Sequence, residues 1–236
     1  MTITLRVRRS DPARGERPAW RSYRVELRPK MSVLDALFAI LEEQDATLAF
    51  RYSCRAGMCG SCAMVIDGRE GLACQARFEG ARRSVVHVEP LRSLPVLRDL
   101  VVDMGPFFAR YRAIDPFFVG EEPSLGQPPG DPAVVDPDAG VRPLVSRQID
   151  CIACGACLSA CPTVAMNDAF LGPAALNRAF ALTNDARDRA HRLRREAIYG
   201  EGGVHACHSV GNCARVCPAG VDPLLSIRML RAHAPE

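Results

Sequence analysis

An α+β fold in two successive parts follows from three features of the sequence. Apolar and polar residues alternate with a period of two through much of the first hundred residues. Apolar residues recur at helical spacing from Asp150 onward, and the cysteines fall into different spacings in the two parts. A chain of 236 residues has length for two compact domains, and the expected division is 1–104 and 105–236.

Taken in order, Ile3 to Arg9 and Ser22 to Arg28 each alternate apolar and polar side chains around a Pro- and Gly-bearing connection, which predicts two antiparallel strands. Ser32 suits a helix N-cap, and Val33, Leu34, Leu37, Ile40 and Leu41 follow along one helical face. Ala63 to Ile66 reads as a short strand, Asp67-Gly68 as a tight turn and Val85 to Val88 as a further strand. After Pro95 the strand signals stop. Leu97 to Arg112 has helical spacing interrupted at Gly105-Pro106, and the Pro- and Gly-rich stretch Glu121 to Pro143 predicts a long surface loop. The later part is expected to be nearly all α, cut into short pieces by Pro162, Pro173 and Pro218.

Composition narrows the classes. Charged residues are 24% and apolar residues 48%, ordinary for a soluble globular protein. A net charge of +3 supplies no concentrated basic face, so no nucleic-acid partner is expected. The densest basic run, His191 to Arg195, reads as a solvated helix face, with an acidic partner surface or lipid headgroups as the alternative. No apolar stretch approaches the ~20 residues of a membrane span. Met1 to Trp20 carries Arg6, Arg8, Arg9, Asp11 and Arg14 without an apolar core, so no secretory signal is expected. Eleven cysteines cannot all be used by a disulfide framework, and in a reducing compartment such clusters are more often metal ligands.

Cys54, Cys59, Cys62 and Cys74 have the C-x4-C-x2-C spacing of plant-type ferredoxins with a fourth cysteine beyond a turn. Gly57 and Gly60 let the main chain approach an inorganic core whose sulfides accept N–H bonds, so a 2Fe-2S cluster is expected. Structural zinc is the alternative, although zinc usually takes two separated cysteine pairs.

Cys151, Cys154, Cys157 and Cys161-Pro162 spell C-x2-C-x2-C-x3-C-P, a run in which the fourth thiolate crosses to another cluster. The run recurs at Cys207, Cys213 and Cys217-Pro218 with Val210 at its second cysteine position. Crossover then assigns Cys151, Cys154, Cys157 and Cys217 to a 4Fe-4S cluster, and Cys161, Cys207 and Cys213 to the other. Valine cannot bind iron, so the three-cysteine site is expected to hold 3Fe-4S; a 4Fe-4S cluster whose open iron binds water or substrate is the alternative. Four, four and three ligands use every cysteine.

Together with Phe50-Arg51-Tyr52-Ser53-Cys54, Pro95 to Asp103, Phe170 to Leu176 and Cys207-His208-Ser209, these motifs resemble the iron-sulfur subunits of succinate dehydrogenase and fumarate reductase over nearly the whole chain. The resemblance implies a β-grasp, plant-type ferredoxin domain followed by a bacterial-ferredoxin-like helical domain. It implies docking between an FAD-containing catalytic subunit and membrane-anchor subunits, which in the family can carry haem. The chain would pass electrons between flavin and quinone through 2Fe-2S, 4Fe-4S and 3Fe-4S in that order, with no complete active site of its own. It would sit peripherally on the cytoplasmic face of the inner membrane. Pro162, Thr163 and His208 match positions near the family's quinone pocket; for His208 a structural hydrogen bond is the equal alternative. Met166 stands where many members have tryptophan, which leaves the shape of that pocket open. The runner-up function is the iron-sulfur subunit of a soluble fumarate reductase or a heterodisulfide-reductase-like complex; a non-redox zinc protein is a third.

Overall fold

The computed structural model describes residues 2–78, 84–120, 135–138 and 140–233. Its strands are β1 (Thr2–Arg9), β2 (Ala19–Glu26), β3 (Ala63–Ile66), β4 (Arg69–Leu72), β5 (Val85–Glu89), β6 (Val96–Arg98) and β7 (Val101–Val102). Its helices are α1 (Val33–Glu43), α2 (Gly105–Arg112), α3 (Arg142–Gln148), α4 (Ala156–Ser159), α5 (Pro162–Met166), α6 (Pro173–Thr183), α7 (His191–Tyr199), α8 (Asn212–Arg215) and α9 (Pro223–Ala232). They form two compact units. The first comprises Met1–Phe107 with Ile152–Ala160 and Arg215–Pro218; the second comprises Phe108–Cys151, Cys161–Ala214 and Ala219–Glu236.

In the first unit a five-stranded mixed sheet runs in the order β2-β1-β5-β3-β4. β1 pairs antiparallel with β2, from Thr2 opposite Glu26 to Arg9 opposite Ala19, and parallel with β5, where Thr4 faces Val85. The period-two alternation of β1 turns Ile3, Leu5 and Val7 inward, where they meet Leu34, Leu37 and Ile40 of α1. Each such side chain contributes about 1.5–3 kcal/mol by leaving water. Helix α1 begins at the expected cap: Ser32 Oγ accepts from Asp35 N at 3.2 Å, and Asp35 Oδ2 accepts from Ser32 N at 2.8 Å. The reciprocal pair satisfies two end groups that would otherwise lack partners.

Two local expectations are corrected, and β4 is an addition to them. Strands do not stop at Pro95, because β6 and β7 form a small hairpin around Asp99. The buried Asp99 carboxylate accepts from Ser10 N at 3.1 Å and Ala49 N at 2.9 Å and pairs with Arg9 Nε at 2.8 Å; these distant partners hold strands too short to show a period. β4 was not expected, because only Leu72 of its two inward residues is apolar and the other is Glu70. Gly105-Pro106 opens α2 instead of interrupting a longer helix, as proline's fixed φ and missing N–H allow in a first turn. The prolines at 162 and 173 likewise begin helices.

In the second unit α6 is the hub, packing against α3, α7 and α9. Asn177 on α6 donates to Gln148 O at 2.9 Å and accepts from Ser226 Oγ at 2.7 Å, so a buried amide joins three helices without an unpaired group. The expected surface loop Glu121 to Pro143 lies mostly outside the described residues, and its last two positions belong to α3. The basic run on α7 is not wholly a solvated face: His191, Arg192, Leu193 and Arg195 are exposed, but Arg194 is 0% exposed. Its guanidinium pairs with the equally buried Asp188 at 2.6 and 3.2 Å and donates to Asp115 O at 3.0 Å and Phe117 O at 2.5 Å.

Candidate iron-sulfur sites

The loop from Arg51 to Cys62 bends through left-handed residues, Arg55 at φ +57°, Gly57 at +79° and Gly60 at +73°. That path turns successive N–H groups toward sulfur. Ala56 N, Met58 N and Cys59 N donate to Cys54 Sγ at 3.4, 3.3 and 3.3 Å, and Cys54 N donates to Cys59 Sγ at 3.5 Å. Arg55 is not a glycine, and its strained backbone is offset by stacking its guanidinium over the rings of Phe38, 4.5 Å away, and Tyr52, 5.6 Å away. Cys54 and Cys59 are exposed, whereas Cys62 and Cys74 reach into the core.

The thiols are tuned apart. A hydrogen bond from the Ser61 side chain, helped by backbone N–H groups, brings Cys59 down to about 6, whereas burial pushes Cys62 up to about 11. A desolvated thiolate needs a compensating cation. Four cysteines with inward N–H donors and glycine in place of bulk therefore fit a 2Fe-2S cluster, whose irons supply positive charge and whose sulfides accept the N–H bonds.

Residues that sequence reasoning missed support the next cysteine segment. Within the first unit, Ser159, two residues after Cys157, donates to Glu70 Oε1 at 2.9 Å and accepts from Arg92 N at 2.7 Å. Arg92 also lies 3.4 Å from Glu70, and Arg69 donates to Arg215 O at 2.5 Å. Ala153 at φ +51° and Gly155 at +82° shape the turns on either side of Cys154. Cys154, Cys157 and Cys217 are thus carried by the first unit, whereas Cys151, the residue before the Ile152–Ala160 segment, is assigned to the second.

In the second unit, Cys161, Cys207 and Cys213 line one small cavity of about 20 Å³, together with Pro162, Thr163 and Val210. Cys161 immediately precedes α5, and Cys213 lies in α8. Cys213 is buried and pushed up to about 12, chiefly by loss of solvent. Val210 is 53% exposed at the cavity's edge, and Met166 is 76% exposed. His208 is exposed and is not a lining residue of this cavity, unlike Pro162 and Thr163. Ser209 at φ +57° and Gly211 at +83° turn the loop back on itself, and Ser209 N donates to Cys207 Sγ at 3.4 Å. Arg231 of α9 clamps this loop: Nε and Nη2 donate to Val204 O at 2.8 and 2.6 Å, Nη1 donates to Ser209 Oγ at 3.2 Å, and Nη2 donates to Cys207 O. Three converging thiols, with an apolar residue where a fourth would stand, fit a cluster with three protein ligands. No disulfide joins any of the eleven cysteines, all of which lie among the described residues.

Comparison with known proteins agrees with these arrangements. Residues 4–109 match a 2Fe-2S iron-sulfur cluster binding domain, and residues 147–221 match a 4Fe-4S dicluster domain. The chain is 38% identical over 236 residues to the fumarate reductase iron-sulfur subunit of Mycobacterium tuberculosis, covering 98% of this chain and 92% of that one. It is 36% identical to the succinate dehydrogenase iron-sulfur subunit of Paracoccus denitrificans, covering 95% and 85%. Its structure superposes on a chain of the Mycobacterium smegmatis Sdh1 complex in the apo form with a TM-score of 0.86 at 30% identity, covering 99% and 95%. With the cysteine motifs, the ferredoxin-like sheet and the full-length matches all in agreement, this chain belongs to the succinate dehydrogenase and fumarate reductase iron-sulfur subunit family.

Proposed function

We propose that the chain carries electrons between an FAD-containing subunit and quinone in a membrane-bound succinate:quinone oxidoreductase, as its iron-sulfur subunit. The ligand sets are Cys54, Cys59, Cys62 and Cys74 for 2Fe-2S; Cys151, Cys154, Cys157 and Cys217 for 4Fe-4S; and Cys161, Cys207 and Cys213 for 3Fe-4S. The clusters supply one-electron centres that couple the two-electron chemistry of flavin to that of quinone. What the protein supplies is ligand position and N–H bonds to sulfur. The 2Fe-2S ligands fall in 1–104 and the others in 105–236.

The observation that carries this reading is the cavity shared by Cys161, Cys207, Cys213 and Val210. Cysteines from separate motifs converge as the crossover requires, and a branched apolar side chain leaves one iron corner without a protein ligand. Pro162 and Thr163 at the same cavity support a quinone-side role for its rim. Exposed His208 supports contact with quinone or with a neighbouring subunit more than a buried structural bond. Among the described residues no helix is long and apolar enough to cross a membrane, so attachment to the cytoplasmic face would run through anchor subunits, with or without haem. The full-length likeness to succinate dehydrogenase and fumarate reductase subunits favours this reading over a heterodisulfide-reductase-like complex.

Purification in mild detergent, followed by assays with succinate and with fumarate, tests the proposal. The expected result is co-purification of an FAD-containing chain and small hydrophobic chains, with EPR signals of three distinct clusters. An anaerobic preparation without acid-labile sulfide overturns it.

A further inference from the structure

Gly60 lies between Cys59 and Cys62 at φ +73°, and a Cβ there would stand 2.7 Å from the Cβ of Cys154, 3.0 Å from its Cα and 3.1 Å from Ile152 O. Carbon atoms settle near 3.5–4.0 Å from one another, so any side chain at this position must force the two segments apart by roughly 1 Å. The obstructing atoms are main chain and a Cβ, which no rotamer change can move.

The segment around Cys154 is held firmly within the first unit. Ile152 and Cys154 pack against its hydrophobic core. A Cβ on Gly155 would meet Met104 Cε at 3.2 Å and Leu91 Cδ1 at 3.4 Å, and Ser159 is fixed between Glu70 and Arg92. The other left-handed glycines nearby differ in kind. The atoms nearest a Cβ on Gly57 belong to the flexible Gln75 side chain, and a Cβ on Gly68 would meet nothing within 4 Å. Gly60 is therefore required for contact as well as for backbone conformation.

We infer that Gly60 is a positioning residue that seats the Cys59–Cys62 loop directly on Cys154, with neither a side chain nor water between two cysteine loops assigned to successive clusters. The inference rests on the ligand assignment proposed above. Its physical content is that the closest approach of those loops is set by a missing Cβ, and with it the through-space path from one cluster's ligands to the next.

The test is Gly60→Ala in the assembled, cluster-loaded protein, with Gly68→Ala as a control carrying left-handed strain but no contact. Gly68→Ala should retain iron, acid-labile sulfide and the EPR signals of 2Fe-2S and 4Fe-4S, and the comparison with Gly60→Ala is made on protein that carries both signals. In Gly60→Ala the microwave power that half-saturates the reduced 2Fe-2S signal should fall, because a paramagnetic neighbour held farther away relaxes it less; Gly68→Ala should match the parent. An unchanged half-saturation power in a fully loaded Gly60→Ala protein overturns the inference. A parent protein lacking either signal instead overturns the ligand assignment. If Gly60→Ala does not load its 2Fe-2S site, hydrogen exchange on the parent decides. Peptides covering 57–63 and 151–156 should be equally protected and open together, and independent opening refutes the contact.

Discussion

Replacing Arg231 with methionine should loosen the Cys207–Ser209 loop while leaving the rest of the chain folded. The guanidinium donates to Val204 O, Cys207 O and Ser209 Oγ, and methionine keeps much of the stem's packing but no donor. A hydrogen bond to a charged group contributes about 1.5–3 kcal/mol, and these acceptors are only part-buried, so water can replace some of what is lost. A local cost of about 3 kcal/mol is the reasoned value, less than the sum of the separate bonds. At 1.4 kcal/mol per factor of ten, the population of the opened loop rises roughly 100-fold. The assay follows the 3Fe-4S EPR signal over time in the presence of an iron chelator, with the 2Fe-2S signal as internal reference. Loss of the 3Fe-4S signal should accelerate by roughly that factor when chelation tracks the open state, while the 2Fe-2S signal persists. Arg231→Lys should fall between, because a point charge cannot span the same acceptors as the planar fork. A chelation rate indistinguishable from the parent's, or loss of both signals together, would refute the clamp.

Four other outcomes are expected. Val210→Cys places a thiol beside Cys161, Cys207 and Cys213 and should favour a 4Fe-4S cluster there; an unchanged air-oxidised 3Fe-4S signal would count against the crossover. Cys59→Ala should abolish the 2Fe-2S signal and leave the other two, whereas disappearance of all three would show that the sites are not independent. Arg194→Met leaves Asp188 charged and buried, costing about 3–5 kcal/mol and lowering the denaturation midpoint accordingly. Burial alone would raise the Asp188 carboxyl, but hydrogen bonds from Arg194, Ala190 N and Val119 N outweigh it and hold the group below the ordinary range. Its ionised form therefore adds stability above the unfolded value near 3.9, and that stability disappears as pH falls through the lower folded value. The deficit of Asp188→Asn, measured against the parent by unfolding at pH 7 and again at about pH 3, below the unfolded value, should shrink toward the acid end.

Much of the first unit was legible because its signals are local. The alternation of β1, the Ser32 cap and the Asp67-Gly68 turn each depend on a few consecutive residues, and each appears at its expected place. β4 and the hairpin of β6 and β7 were not legible, because each depends on a buried carboxylate whose partners are distant in sequence. Glu70 meets Ser159 across 89 positions, and Asp99 meets Ser10 across another 89. Arg194 was misread for the same reason: a charged residue in a basic run looks solvated until Asp188 and two backbone carbonyls surround it.

Cysteine spacing by itself set the kinds of cluster and the ligand groups to expect, since a cluster-binding loop wraps most of its ligands within a few residues, the crossing fourth thiolate follows the repeated run, and valine has no donor. Only the folded chain decided what holds those loops in place. Arg231 reaches the Cys207 loop from the last helix, Ser159 joins the ferredoxin-like sheet through Glu70, and Gly60 rests on Cys154 where nothing larger fits. Metal-ligand chemistry acts over a few bonds and leaves a pattern in the linear order, whereas packing and burial act between surfaces that meet only after the chain has closed on itself.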